Sequence, residues 1–197
     1  MNFSQNSAYW GLNNILPLFN NANLVFYGNP QPATPETALA GTNTALATFV
    51  FTAQAFGSPS FSSPNAAATA SFVSSSVTPG ANGTVTFARA TLKATTWTPS
   101  ATYATLFTIV YNSANFYVLT KAGTAAASGG PSSTTFSTVS TDNSCQWTYY
   151  AATATQNNVL ADFSTGTGGT DIVIGSTAIT TTVQVTMTSF VLQTTAS

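Results

Sequence analysis

Few side chains in this chain of 197 residues could move a proton, hold a metal or attack a carbonyl. There are four carboxylates, Glu36, Asp142, Asp162 and Asp171, three cations, Arg89, Lys93 and Lys121, a single thiol, Cys145, and no histidine. Without histidine the usual general base, a Ser-His-Asp arrangement and most transition-metal ligand sets are missing. Four carboxylates leave only a paired-acid glycosidase to consider. None sits in a setting that suggests one: Glu36 lies in a Pro-rich stretch, and Asp142 precedes Asn143-Ser144, both turn contexts. No Asp-x-Asp-x-Asp spacing offers a calcium loop. The glycines of Gly166-Thr167-Gly168-Gly169 are followed by no lysine, so a phosphate-binding loop is not indicated. The inventory reads as a protein that is not an enzyme, with no cofactor and no metal.

Scarcity of charge is the second signal. Only 4% of residues are charged, against roughly 25% in an average protein. Nucleic acid is held mainly by Lys and Arg on phosphates, and three cations are too few for that partner. A net charge of -1 gives little self-repulsion, so either much of the surface faces other subunits or hydroxyls and amides alone keep the chain soluble. The N-terminal residues lack the basic and apolar regions of a signal peptide, and no run of about 18 apolar residues spans a bilayer. The expectation is a chain made in a cytoplasm, with no membrane partner. Cys145 sits in the apolar run Cys145-Gln146-Trp147-Thr148-Tyr149-Tyr150 and reads as a buried, inert thiol.

The elements that position these groups are mostly strands. Leu12, Ile15, Leu16 and Phe19 recur at helical spacing, and Pro17 ends the pattern, so residues 1–22 read as an arm with a short helix to about Leu16. Tyr9, Trp10 and Leu12 on that arm are candidate contacts to a neighbouring subunit. From residue 23 to 197 short apolar and hydroxyl-rich runs alternate with Gly, Pro, Asn and Ser clusters, the pattern of one antiparallel β-sandwich or barrel. Strands are placed at 24–27, 45–51, 68–75, 84–93, 103–111, 116–120, 146–153, 159–163, 171–174 and 182–192. The run Leu24-Val25-Phe26-Tyr27 stops at Gly28-Asn29-Pro30-Gln31-Pro32, a rigid exposed loop whose Asn29, Pro30, Gln31 and Pro32 are further candidate subunit contacts.

Alternation through residues 84–93 puts Val85, Phe87 and Arg89 on one face. An arginine there needs a partner unless it stands at the end of the sheet with its guanidinium in solvent, and the chain has few anions to supply one. In residues 182–192, Val183, Val185 and Met187 face inward, and the phase change at Phe190 and Leu192 predicts a bulge or a change of surroundings near Ser189. A hairpin is predicted around Asn112-Ser113-Ala114-Asn115, followed by a mobile Gly- and Ser-rich loop over 122–135. Trp147, Tyr149 and Tyr150 read first as core, and if exposed as a protein or sugar contact.

The succession of a strand ending in Tyr27, the loop Gly28 to Thr34, the strand Ala45 to Phe51 and the turn Ala55-Phe56-Gly57 resembles a family of tailed-phage virion structural proteins. That family carries a "Y-G-x-Q-P-A-T" loop, an "LATLTF" strand, an "AFG" turn and a "GTATWFR" strand. Residues 82–90 look like the last of these, and 170–174 with 183–190 look like the closing pair. The resemblance places the closing segments near Arg89, which implies Asp162 and Asp171 as candidates for a structural ion pair with it. The similarity spans roughly 12–94 and 159–193, which leaves 95–158 as an insertion. The resemblance implies an all-β, antiparallel sandwich or jelly-roll-like fold and a non-enzymatic place in a bacteriophage particle. A capsid decoration or cement protein is the leading expectation. Its partners would be the major capsid protein, other copies of itself, or both, as a homo-oligomer in the assembled virion. The alternative is a tail or fibre component with a glycan- or host-contacting surface.

Overall fold

The computed structural model of the chain describes residues 4–62, 65–136, 138–152, 158–168 and 171–195. In chain order come helix α1 (Gln5–Ile15), a 3-10 helix (Leu16–Phe19), β1 (Asn23–Tyr27), β2 (Ala45–Phe56), β3 (Ser60–Ser62) and β4 (Asn65–Phe72). Next are β5 (Ser76–Val77), β6 (Gly83–Thr84), β7 (Phe87–Thr91), β8 (Thr95–Thr96), β9 (Thr102–Tyr103), β10 (Ile109–Asn112), β11 (Asn115–Lys121) and β12 (Gly123–Thr124). The last are β13 (Val139–Asp142), β14 (Cys145–Ala152), β15 (Val159–Gly166), β16 (Ile172–Ile174), β17 (Ala178–Ile179) and β18 (Val185–Thr195). The protein is mostly β with a short N-terminal helix, as the sequence leads one to expect. It divides into two compact units, residues 1–91 with 159–197, and residues 92–158. The stretch 95–158 set apart in the sequence falls inside the second.

In the first unit the hydrogen-bonded order β4-β2-β1-β7-β15-β16-β18 returns to β4, closing a barrel of seven strands. Each antiparallel pairing reverses direction, and a ring must return to its starting direction, so the number of reversals has to be even. With seven neighbours around the ring, at least one pair must be parallel. That pair is β15 and β16, registered at Thr165 with Ile172 and Gly166 with Val173. Their short connection is held by Asp171, whose carboxylate accepts from Ser164 N (2.9 Å) and Ser164 Oγ (2.8 Å).

Alternation along β1 sends Leu24 and Phe26 inward, opposite Phe49 and Ala47 of β2 and Ala90 and Ala88 of β7. Small alanines facing large phenylalanines let the rings interdigitate. Phe51, Phe163 and Phe190 fill the middle: Phe163 and Phe190 meet edge to face with centroids 4.8 Å apart. Such a pair adds roughly 0.5–1.5 kcal/mol to the burial of its area. Helix α1 starts at an N-cap, where Ser4 Oγ accepts from Ser7 N. Pro17 sits at the start of the 3-10 helix, a place where its missing N–H removes no bond. Ala8, Leu12, Leu16 and Phe19 enter the barrel core. Ile15, which helical spacing grouped with them, is instead 47% exposed.

Two phase changes depart from simple alternation. Thr86 N donates to Tyr27 O, and the break between β6 and β7 turns Val85 into the core with Ala88 and Ala90, so Phe87 and Arg89 keep a face that Val85 does not share. Opposite β16, the register shift between Val173 and Ile174 leaves Thr188 extra on β18, so Met187 and Phe190 both point inward. This is the bulge anticipated near Ser189. Because β18 begins at Val185, Val183 lies outside it and is 63% exposed, contrary to the inward reading.

The second unit is a five-stranded sheet, β13-β14-β11-β10-β8, with the small pair β9 and β12. Trp97, Val110, Tyr117, Leu119, Ala125, Cys145 and Trp147 form its core, with Tyr103 and Tyr149 against it. The β10–β11 hairpin is present but tighter than predicted: Asn112 pairs with Asn115, and only Ser113 (φ 48°) and Ala114 (φ 64°) turn. The single strand expected over 103–111 is broken, because Phe107 takes φ 65° and Thr108 folds back to Thr105 O through N and Oγ1. Nor is the segment after Lys121 free. Asn112 Nδ2 donates to Gly129 O and Pro131 O, and Gly130 (φ +70°) lies so close that a Cβ would meet Trp97 Cδ2 at 2.9 Å. The strand β13 has no counterpart in the sequence reading.

Candidate functional site

Arg89 is carried by β7, with Val25 of β1 and Asp162 of β15 in register on either side. Its Nε and Nη2 donate to Asp162 Oδ1 and Oδ2 at 2.6 and 2.7 Å, and Nη1 donates to Thr37 O at 3.2 Å. The two side chains are 2% and 1% exposed. The pairing expected from the sequence is therefore made with Asp162. Asp171, the other candidate, stays exposed and binds Ser164 instead. Beside the pair Tyr27 stacks on Phe87, centroids 5.3 Å apart. Burial pushes the Tyr27 phenol up, Arg89 pulls it down and Asp162 pushes it up again.

A second buried carboxylate lies in the other unit. Asp142, 3% exposed, is the last residue of β13 and pairs with Cys145 of β14. Its Oδ2 accepts from Trp97 Nε1 (2.8 Å) and Trp147 Nε1 (3.1 Å), and its Oδ1 from Ala126 N (2.9 Å). Three donors satisfy the group with no cation. The solvated-turn reading of Asp142 is thereby corrected; the residue organises the core. The neighbouring Cys145 is fully buried, and its thiol is pushed up by that burial and then by Asp142.

A cleft of about 620 Å³ in the first unit is lined by Asp162, Phe163, Asp171, Ser189, Val191, Leu192 and Gln193. It brings two carboxylates to one place. The Asp162 carboxylate is paired with Arg89, and the Asp171 carboxylate accepts from Ser164. Among the described residues no group of three or more His, Cys, Asp or Glu could hold a metal.

The candidate contact residues separate into three kinds. Trp10 is 61% exposed, with the ring of the half-buried Tyr9 against it at 90°. Leu12 is 1% exposed, so it is a core residue and not a contact; two positions, about half a helical turn, separate the two fates. Asn29, Pro30 and Gln31 are exposed and Pro32 half-buried. Their loop is stiff, because Asn29 (φ 68°) donates Nδ2 to Thr42 O, its own carbonyl accepts from Thr86 Oγ1, and Asn43 Nδ2 donates to Gly28 O and Pro30 O. Exposed Val73, Leu106, Phe136 and Val139 are further apolar surface that no sequence pattern singled out. Phe136 and Val139 stand between Ser and Thr residues, which carry no sidedness.

No protein-family model, no curated protein and no solved structure matches this chain. No helix among the described residues is long and apolar enough to cross a membrane.

Proposed function

We propose that this protein is a non-enzymatic structural component of a bacteriophage virion, a capsid decoration or cement protein that docks on the shell through neutral polar and apolar contacts. The observation that carries the reading is where the charges go. Arg89, Asp162 and Asp142 are spent inside the units, which leaves Glu36, Asp171, Lys93 and Lys121 for the entire surface. Such a surface recognises a neighbour by fit and by hydroxyl and amide hydrogen bonds. Trp10 and the stiff loop Asn29 to Pro32 supply ordered contact groups that need little further ordering on docking. The sandwich-like or jelly-roll-like description that accompanies the family resemblance belongs to this reading, with the antiparallel pairing that predominates among the barrel strands in its support.

Association by buried area is insensitive to screening. The chain should copurify with virus particles and stay on them through a wash in about 1 M salt. Release by salt, or absence from purified particles, overturns the reading. Labelling confined to tails, with binding of the isolated protein to glycans, would instead favour a tail or fibre role, for which Tyr111, tilted at 58° to Phe116 with centroids 6.1 Å apart on the β10–β11 hairpin, offers a partly exposed aromatic pair.

A further inference from the structure

β13 is the terminal strand of the five-stranded sheet. It joins β14 through the two residues Asn143 and Ser144, with Asp142 opposite Cys145 and Ser140 opposite Trp147. The closing pair of a two-residue hairpin exchanges both of its backbone bonds, and bonded and unbonded pairs then alternate. Ser140 and Asp142 therefore direct N–H and C=O to β14, while Val139 and Thr141 direct theirs away. Among the described residues none hydrogen-bonds to the backbone of Val139 or Thr141 on that outer side.

Natural sheet edges are guarded by lysines, prolines, bulges or shortness. At four residues β13 is short, but it carries no lysine, proline or bulge. No ionisable residue stands between Lys121 and Asp142, and the Asp142 carboxylate is withdrawn under the two indoles. The edge is apolar as well: Val139 is 51% exposed and Phe136, just before it, 75%.

We propose that β13 is the seam between two copies of this chain, joined edge to edge and antiparallel about a two-fold axis at Ser140. Free donors and acceptors at Val139 and Thr141, placed evenly about a central residue, complement themselves under such an axis. Val139 of each copy faces Thr141 of the other, and each such pair exchanges both backbone bonds. No charge on the strand opposes the approach of an identical strand. Taking a second copy as the occupant rests on the assembly reading above.

The test is sedimentation velocity of the full chain over a wide concentration range, with residue-resolved amide exchange at both ends of it. A monomer–dimer equilibrium is expected, with the Val139 and Thr141 amides slowing as dimer forms. Thr141→Pro removes an outward N–H and no bond to β14, and Val139→Lys adds a guarding charge. Each should weaken dimerisation at least roughly tenfold with Trp fluorescence unchanged. A monomer at every concentration, a dimer in which those two amides stay unprotected, or a dimer that both variants leave intact overturns the proposal. Should a variant unfold, exchange in the unaltered chain decides. Pelleting with particles is read separately: a monomer that pellets sinks the seam and spares the assembly reading, and a β13 dimer that never pellets does the reverse.

Discussion

The guanidinium of Arg89 holds both carboxylate oxygens of Asp162, at 2.6 and 2.7 Å, across the β7–β15 pair. Its third nitrogen reaches the Thr37 carbonyl, so one side chain ties two strands to the loop after β1. Removing one partner strands the other charge in a dry site. Arg89→Met is expected to destabilise the protein by about 3–5 kcal/mol, read from denaturant midpoints, whereas Arg89→Met with Asp162→Leu should recover much of that loss.

Asp142 has a different weakness, since its partners are all neutral donors. Asp142→Ala leaves Trp97, Trp147 and Ala126 N–H groups without an acceptor, at about 1–3 kcal/mol for each group that stays dry. Asp142→Asn keeps one oxygen in place and should lose less. Chemical denaturation followed by tryptophan fluorescence reads both.

Tyr117 presents the opposite case. Its buried hydroxyl makes no hydrogen bond of normal geometry among the described residues, although the Asn115 side chain is near enough to pull its pKa down against burial, so Tyr117→Phe removes a poorly met polar group and keeps the ring. Thermal melts should show stability unchanged or higher by up to about 1 kcal/mol.

Burial raises the Cys145 thiol above its ordinary 9.0 and the Tyr27 and Tyr117 phenols above 10.0. A raised value in the folded chain means the unfolded chain gives up its proton first. These groups' contribution is therefore intact below pH 9.0 and falls as pH rises beyond it. Equilibrium unfolding measured from neutral to alkaline pH should show this decline, and a thiol reagent at mildly alkaline pH should label Cys145 only as the protein unfolds.

Leu12 and Trp10 divide packing from contact. Leu12→Ala should cost about 2–5 kcal/mol, as for a core leucine, and Trp10→Ser within about 0.5 kcal/mol, as for an exposed residue. Loss of particle binding by Trp10→Ser at unchanged stability would locate a docking residue; binding indifferent to it would clear α1 of that role.

Much of the fold was legible because alternation and punctuation agree. Leu24 to Tyr27 runs into Gly28 and Pro30, and the β10–β11 hairpin is flanked by two apolar runs. Reading failed where one residue outweighs a pattern. Phe107 at positive φ breaks a stretch that looks like continuous strand, and Val-Ser-Thr-Asp has too little apolar content to announce β13. Of the candidate ion pair, composition required an anion for Arg89, but only register across the barrel selects Asp162 over Asp171. Asp142 was illegible for the same reason: the indoles that hold it lie 45 and 5 residues away in sequence.

Thr91 and Val159 face each other as registered neighbours on β7 and β15, although 67 residues of chain run between them. The ring of strands is therefore complete without what leaves and re-enters there. A four-residue hairpin tip could be spliced into that gap, or a foreign module threaded through it, with every barrel hydrogen bond retained. To a genetic engineer the molecule is a chassis with a socket.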